Sequence, residues 1–392
     1  MKRVQHLIIG GGMTGAAAAR GARDVAPQAS LALIGADPHP PYNRPPLSKA
    51  LWKGDPESSI WRTDDVQGVE LLPGRRVTGI DAAARRVKDD RGESYQFDTL
   101  LLATGGAPRR LPGAPDSVIY FRTLDDYRRL RGLAAPGKRF VVVGGGFIGS
   151  EVAAALGMQG AQVTMVIPEA GVGARVFPAE LSANLAAFYR EKGVTVRTGE
   201  GVATVTEAGG TSRVTTTTGV ELSADAVVAG LGIVPSVELA QQAGLAVENG
   251  IVVDELLRTS NPAIFAAGDV AQFPAPALGK RVRVEHEDNA NAQGRQAGRN
   301  LAGLAEPYRH LPFFYGDLFE LGYEAVGELD SRLETFADWK TPFREGVIYY
   351  LQDARVRGVL LWNTWGQVDH ARVLIDERGP FTPTALKGRL PA

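Results

Sequence analysis

The chain contains no cysteine. Over 392 residues this excludes structural disulfides, a Cys-x-x-Cys redox pair, thiolate zinc sites and an iron–sulfur cluster held by the protein itself. Any redox chemistry here works without a protein disulfide. An excess of charge is also missing. Lys plus Arg number 43 against 44 Asp plus Glu, a net charge of −1, so no field draws in nucleic acid or an anionic membrane. No apolar run approaches the roughly 20 residues that span a bilayer. There is no low-complexity segment and no cluster that reads as a metal site. The N-terminus enters an apolar strand almost at once, leaving no room for a leader. These absences lead us to expect a cytoplasmic protein with no membrane span and no nucleic-acid partner.

Glycine is abundant instead, and it is ordered. Two strings, Gly10-Gly-Gly12-Met-Thr-Gly15 and Gly144-Gly-Gly146-Phe-Ile-Gly149, each follow an apolar β-branched run (Val4 to Ile9, Phe140 to Val143) and lead into an alanine-rich stretch. In such a strand–turn–helix the glycines permit a tight turn, a close backbone approach to pyrophosphate and close helix–strand packing. The pyrophosphate then rests on the positive end of the helix. One such string is weak, but two in the right context point to two dinucleotides in one chain, a flavin and a nicotinamide.

Periodicity supports that duplication. Val4 to Ile9, a helix from Thr14 and Ala29 to Ile34 form a strand–helix–strand unit that closes on the run Thr99 to Ala103. The scheme repeats with Phe140 to Val143, a helix Gly149 to Met158, Gln162 to Ile167, a helix Leu181 to Glu191 and Val194 to Arg197, before a Thr-rich hairpin from Thr204 to Val220. Strands alternating with helices imply parallel sheet. The last 80 or so residues change character. Tyr349-Tyr-Leu and Arg357-Gly-Val-Leu-Leu-Trp read as antiparallel strands joined by a turn. The expected fold class is α/β: two Rossmann-like dinucleotide-binding domains plus a C-terminal α+β domain. The expected boundaries are 1–114 and 238–311 for a split FAD domain, 115–237 for an NAD domain, and 312–392 for the C-terminal domain.

An acid that binds ribose should close the second strand of each module. Glu169 lies 20 residues past Gly149, where a carboxylate accepts from both ribose hydroxyls and repels a 2′-phosphate, favouring NAD over NADP. Arg175, six residues on, could instead receive a phosphate. Asp37 takes the corresponding place in the first module.

The segment Pro41-Tyr-Asn-Arg44-Pro-Pro-Leu-Ser-Lys49 resembles one found in flavoproteins of the ferredoxin reductase and apoptosis-inducing factor group, with which the whole arrangement shares a glutathione-reductase-like plan. Three more motifs similar to that group follow in order: Ala103-Thr-Gly-Gly-Ala-Pro-Arg109, Gly230-Leu-Gly232-Ile-Val-Pro235 and Ala267-Gly268-Asp269. Later strings, Val284-Glu285-His286-Glu-Asp-Asn-Ala, Tyr308-Arg-His310, Gly322-Tyr-Glu-Ala-Val-Gly327, Gly346-Val-Ile-Tyr-Tyr-Leu and Val359-Leu-Leu-Trp-Asn363, look closer to apoptosis-inducing factor. The likeness spans essentially the whole chain. Tyr315 departs from it, standing where such relatives usually carry tryptophan. The loop Leu329 to Glu345 is short, and nothing about cell death is carried over.

The resemblance implies non-covalent FAD and NAD(H). It assigns Gly10, Gly12, Gly15, Asp37, Arg44, Lys49, Val77, Thr104, Gly105, Arg122, Asp269, Glu285, His286 and Tyr315 to FAD. It assigns Gly144, Gly146, Phe147, Ile148, Gly149, Glu151, Glu169, Arg175 and Gly232 to NAD. Lys49, Glu151 and His286 would be catalytic, with Lys49 near flavin N5, where a cation stabilises reduced flavin. We expect Lys49 and Glu151 to meet as an ion pair, with Glu151 on the first turn of its helix. The implied activity is an NADH-dependent FAD oxidoreductase. Its acceptor stays open between quinones, dyes or oxygen and a small iron–sulfur protein (a ferredoxin or rubredoxin). An interaction module that responds to NADH and turns over slowly is the reading from another class. The protein would be a monomer or a homodimer, with assembly that could follow its redox state.

Overall fold

The structure, a computed structural model, describes residues 1–391. Those residues divide into two compact units. One comprises Met1–Arg44, Pro56–Ala107 and Val234–Pro312, and the other Pro45–Asp55, Pro108–Ile233 and Phe313–Ala392.

The first unit is built on a seven-stranded sheet whose parallel part runs Glu70–Pro73, Leu31–Gly35, Lys2–Ile9, Ser94–Leu102, with Ile264–Ala266 also parallel to Ser94–Leu102, and which Arg86–Asp89 and Val77–Asp81 extend in antiparallel fashion. Ile9 stands level with Ile34 on one side and Leu102 on the other. The first glycine string therefore emerges at the carboxyl edge of the sheet, where open α/β sheets bind ligands. Leu7, Ile8, Leu100, Leu101 and Leu102 are wholly buried, which is why these strands read as continuous apolar runs rather than alternating ones. Helices Met13–Val25 and Glu287–Leu301 pack together on this sheet. They touch backbone to backbone, and a Cβ on Gly298 would lie 2.0 Å from the Ala18 carbonyl oxygen.

The second unit repeats the parallel motif with Thr195–Thr198, Gln162–Ile167, Arg139–Val143 and Ala226–Ala229 in that order, and with helices Phe147–Met158 and Ala179–Glu191. The Thr-rich hairpin is present, and a third strand, Glu221–Ala224, extends it. Its charged first residue and short length hide it from pattern reading. The same unit holds a five-stranded antiparallel sheet ordered Phe313–Leu318, Leu321–Gly327, Arg355–Trp362, Glu345–Gln352, Glu334–Thr341. Its central pair contains the two runs read from the sequence as antiparallel strands. Asp353 and Ala354, both at positive φ, make the turn between them.

The segment Pro45–Asp55, expected within the first domain, clusters with the second unit. Its packing explains this. Leu47, Leu51 and Trp52 are buried, the Trp52 ring meets Tyr127 edge-on at 5.7 Å, and Trp52 Nε1 donates to the Leu47 carbonyl at 2.7 Å. Burying each such side chain contributes about 1.5–3 kcal/mol as an upper bound. Pro45 and Pro46 preset the short turns Pro45–Ser48 and Ala50–Lys53 that present this apolar face. Among the described residues, no helix is long and apolar enough to cross a membrane.

Candidate cofactor and redox site

In the first unit Gly10 has φ +123°, and a Cβ there would fall 2.0 Å from the Ala103 carbonyl oxygen. A Cβ on Gly15 would fall 2.0 Å from the Gly10 oxygen. Backbone contact makes both positions glycine. Gly12 differs, because a Cβ there would meet only Arg44 Nη2, at 3.9 Å. It leaves the turn open beside a guanidinium. Gly12 also caps helix Met13–Val25 without a side-chain hydrogen bond, and the first turn carries no acid. Free N–H groups, a positive helix end and an arginine together form a cradle for a dinucleotide pyrophosphate.

Neighbouring residues complete that cradle. Gly268 (φ +78°) lies so close to Thr14 that a Cβ would strike its Oγ1 at 2.2 Å. Its N–H donates to Gln293 Oε1 at 2.7 Å. This contact sets Asp269 against the start of the glycine-string helix. Arg283 Nη1 donates to the Asp269 carbonyl at 3.0 Å and pairs with Glu285 at 2.7 Å. His286 is the N-cap of helix Glu287–Leu301. Thr104 Oγ1 donates to the Ser236 carbonyl at 2.7 Å, Gly105 holds φ +64°, and Val77 is buried in its strand. The Asp37 carboxylate accepts from the His39 N–H and from the Tyr42 hydroxyl at 2.9 Å. A small apolar recess nearby is lined by Gly11, Leu33, Gly35, Pro40, Leu71 and Pro73. The residues of this unit thus fit FAD.

The second unit repeats the logic. A Cβ on Gly144 would lie 2.5 Å from the Gly230 oxygen, and one on Gly149 would lie 2.1 Å from the Gly144 oxygen, while one on Gly146 meets nothing within 4 Å. Gly146 caps the helix without a side-chain bond. Phe147 and Ile148, at its start, are 37% and 38% exposed, with the Phe147 ring 5.2 Å from that of Phe314. Gly232 has φ +79°. Glu169 at the strand end receives Arg175 Nε at 2.6 Å, so the two side chains that pull towards opposite coenzymes hold each other. These residues fit a second dinucleotide.

Lys49 and Glu151, 102 residues apart in sequence, meet with Nζ–Oε2 at 2.7 Å. Their side chains are 12% and 3% exposed. The Ser48 hydroxyl donates to the same Oε2 at 2.6 Å, and the Tyr315 ring centroid lies 5.2 Å from Nζ. Burial drives the Glu151 carboxyl above its ordinary range, opposed by the charge and hydrogen bond of Lys49 and by Ser48, while the Asp317 charge adds to the rise. One expectation needs correcting. The helix starts at Phe147 rather than Gly149, with no acid in its first turn, so Glu151 stands on the second turn. Its partner is a half-buried lysine rather than the helix end. Ser48 was missed because a serine after prolines reads as a turn residue.

The expected FAD residues fall in both units. Lys49, Arg122 and Tyr315 belong to the second, where the Arg122 N–H donates to Asp126 beside the Thr123–Asp126 capping box. The others belong to the first.

Comparison with known proteins places the whole chain. Residues 4–294 match the pyridine nucleotide-disulphide oxidoreductase family, and residues 297–342 and 337–377 match the C-terminal domain of mitochondrion-associated apoptosis-inducing factor. The chain is similar to putidaredoxin reductase of Pseudomonas putida, 35% identical over 97% of this chain and 93% of the relative. It is also similar to apoptosis-inducing factor 1 of Dictyostelium discoideum, 32% identical over 96% of this chain and 79% of the relative. A crystal structure of the covalent putidaredoxin reductase–putidaredoxin complex superposes with a TM-score of 0.91 at 34% identity, covering 98% of this chain and 96% of the other. The C-terminal likeness read from the sequence matches the second family, although relatives over the chain include proteins named putidaredoxin reductase and rhodocoxin reductase. The chain belongs to the pyridine nucleotide-disulphide oxidoreductase family, in its ferredoxin reductase and apoptosis-inducing factor group, and is an oxidoreductase that uses FAD and NAD(H).

Proposed function

We propose that this protein passes electrons from NADH to a small iron–sulfur protein. The observation that carries the reading is the partly buried Lys49–Glu151 pair in a chain with no cysteine. With no disulfide relay, electrons must leave from the flavin itself. When bound, the two cofactors supply the hydride chemistry and the conversion from two-electron donor to one-electron acceptor. The protein's work is to bind, orient and tune. Gly12, Arg44, Asp269 and the first-unit helix end hold FAD, while Gly146 and its helix end hold NADH, with Glu169 on the adenosine ribose. Lys49, fixed by Glu151 and Ser48, would supply a positive charge to reduced flavin, while Glu285 and His286 are candidates for FAD contacts in the first unit. Relatives named putidaredoxin reductase and rhodocoxin reductase support a one-electron protein acceptor over a quinone or oxygen.

A second reading has its own support. The match of residues 297–377 to apoptosis-inducing factor favours an NADH-responsive interaction protein with slow turnover, whose assembly follows its redox state. Anaerobic reduction by NADH followed by stopped-flow mixing separates the two. Reoxidation by a [2Fe–2S] ferredoxin many times faster than by air or a quinone is the expected result. A long-wavelength band that persists in air, with sluggish reoxidation by every protein acceptor, would overturn the first reading in favour of the second.

A further inference from the structure

The loop from Gly171 to Phe177 joins the strand end carrying Glu169 to the next helix. Its near side is tied to the glycine turn, since the Gly173 N–H donates to the Gly145 carbonyl at 2.8 Å. Its far side is held by the antiparallel sheet of the same unit. The Ser331 N–H donates to the Arg175 carbonyl at 3.1 Å. The Tyr350 hydroxyl donates to the Val176 carbonyl at 2.7 Å. The Phe177 ring is wedged edge-on against Tyr323 at 5.3 Å and Trp362 at 5.5 Å, and all three side chains are buried. Three consecutive residues, 175 to 177, are therefore gripped from sequence more than 140 positions away. Arg175 has a side chain 83% exposed, yet its guanidinium stays on Glu169. A long, solvated arginine loses rotamer freedom in such a pair, which by itself contributes little. Fixing its backbone leaves that side-chain cost in place but removes the backbone share and keeps the guanidinium within reach of Glu169.

We propose that the C-terminal sheet sets coenzyme selectivity at this site. Tyr350 and the Ser331 amide act as positioning groups that keep Arg175 on Glu169, so the arginine is not offered to a 2′-phosphate. The inference rests on Glu169 being the ribose acid. Released from the sheet, the loop would let Arg175 leave the carboxylate. NAD would then bind a less ordered partner, and a 2′-phosphorylated coenzyme would gain a cation.

The test is calorimetric titration of the FAD-loaded protein with NAD⁺ and with NADP⁺, together with hydrogen exchange of the 171–177 amides. Tyr350→Phe removes one hydroxyl and keeps the ring. It is expected to lower the NAD⁺/NADP⁺ affinity ratio about fivefold, the scale of one hydrogen bond, and to speed exchange in the loop. Ser331→Pro removes the other donor and should move the ratio the same way. Tyr349→Phe is the control. That hydroxyl accepts from the Leu390 N–H, away from the loop, so its loss should leave the ratio alone. A merely structural tyrosine would weaken both coenzymes equally. An unchanged ratio in Tyr350→Phe and Ser331→Pro, with Glu169→Ala collapsing it, overturns the tether and leaves the ribose reading intact. An unchanged ratio in Glu169→Ala overturns both.

Discussion

Glu169 and Arg175 show how two residues can point to opposite functions until their geometry is known. With the guanidinium on Glu169 Oε1, the strand end keeps Oε2 as an acceptor for a ribose hydroxyl and commits the arginine away from a 2′-phosphate. Glu169→Ala should cut the preference for NADH over NADPH roughly tenfold to hundredfold, since a charge-assisted hydrogen-bond pair is worth on the order of 1–3 kcal/mol. Single-turnover flavin reduction at limiting NADH and NADPH measures it. The Lys49–Glu151 pair yields a second residue-scale prediction. Glu151 in the fold holds its proton above its ordinary value of 4.5, so the folded state binds more protons than the unfolded chain through that window. Stability should then fall as pH rises from about 4.5 through the raised value. Glu151→Gln should abolish that slope, and Lys49→Ala, which removes the main counter-charge, should carry it to higher pH. Urea midpoints across pH read both. Lys49→Ala should also slow reduction by NADH while retaining FAD, and an unchanged single-turnover rate would sink its assigned role.

At the scale of elements, the two glycine strings separate a packing requirement from a binding requirement. Gly149→Ala places a Cβ 2.1 Å from the Gly144 oxygen, so strand and helix must part, at a cost of about 1–3 kcal/mol, and coenzyme binding should suffer with stability. Gly146→Ala meets nothing within 4 Å, and its φ of −79° suits alanine. It should melt within a degree or two of the wild type while losing most of its affinity for NAD⁺. Thermal melts beside calorimetric titrations distinguish the two, and a Gly146→Ala protein with normal affinity would refute the open cradle. These elements were largely legible, because fully buried parallel strands make unbroken apolar runs and the glycines mark their ends. The boundaries were less so. Helix Phe147–Met158 begins two residues before Gly149 because Gly146 already caps it, and no side-chain cap announces the start.

On the scale of the molecule, two cofactors bind a chain without cysteine. Flavin should therefore be released as FAD by acid, and unfolding should be indifferent to reductant. Removing FAD should lower stability by about 4 kcal/mol where the free flavin exceeds its dissociation constant a thousandfold. Melts of the holoprotein and the stripped protein, at several FAD concentrations, check this.

Sequence by itself determined the duplicated module, the cofactor class and the strand ends that carry Asp37 and Glu169, because each follows from short-range spacing and backbone conformation. It also named Lys49 and Glu151, through a resemblance. Only the tertiary structure decided that Pro45–Asp55 clusters with the second unit, that Ser48 shares an oxygen with Lys49, and that Tyr350 grips the loop bearing Arg175. Those facts depend on where buried side chains such as Leu47, Trp52 and Phe177 find partners distant in the chain. Contacts of that range leave no periodic trace in a single sequence, since packing selects them from the many apolar surfaces the folded chain brings together.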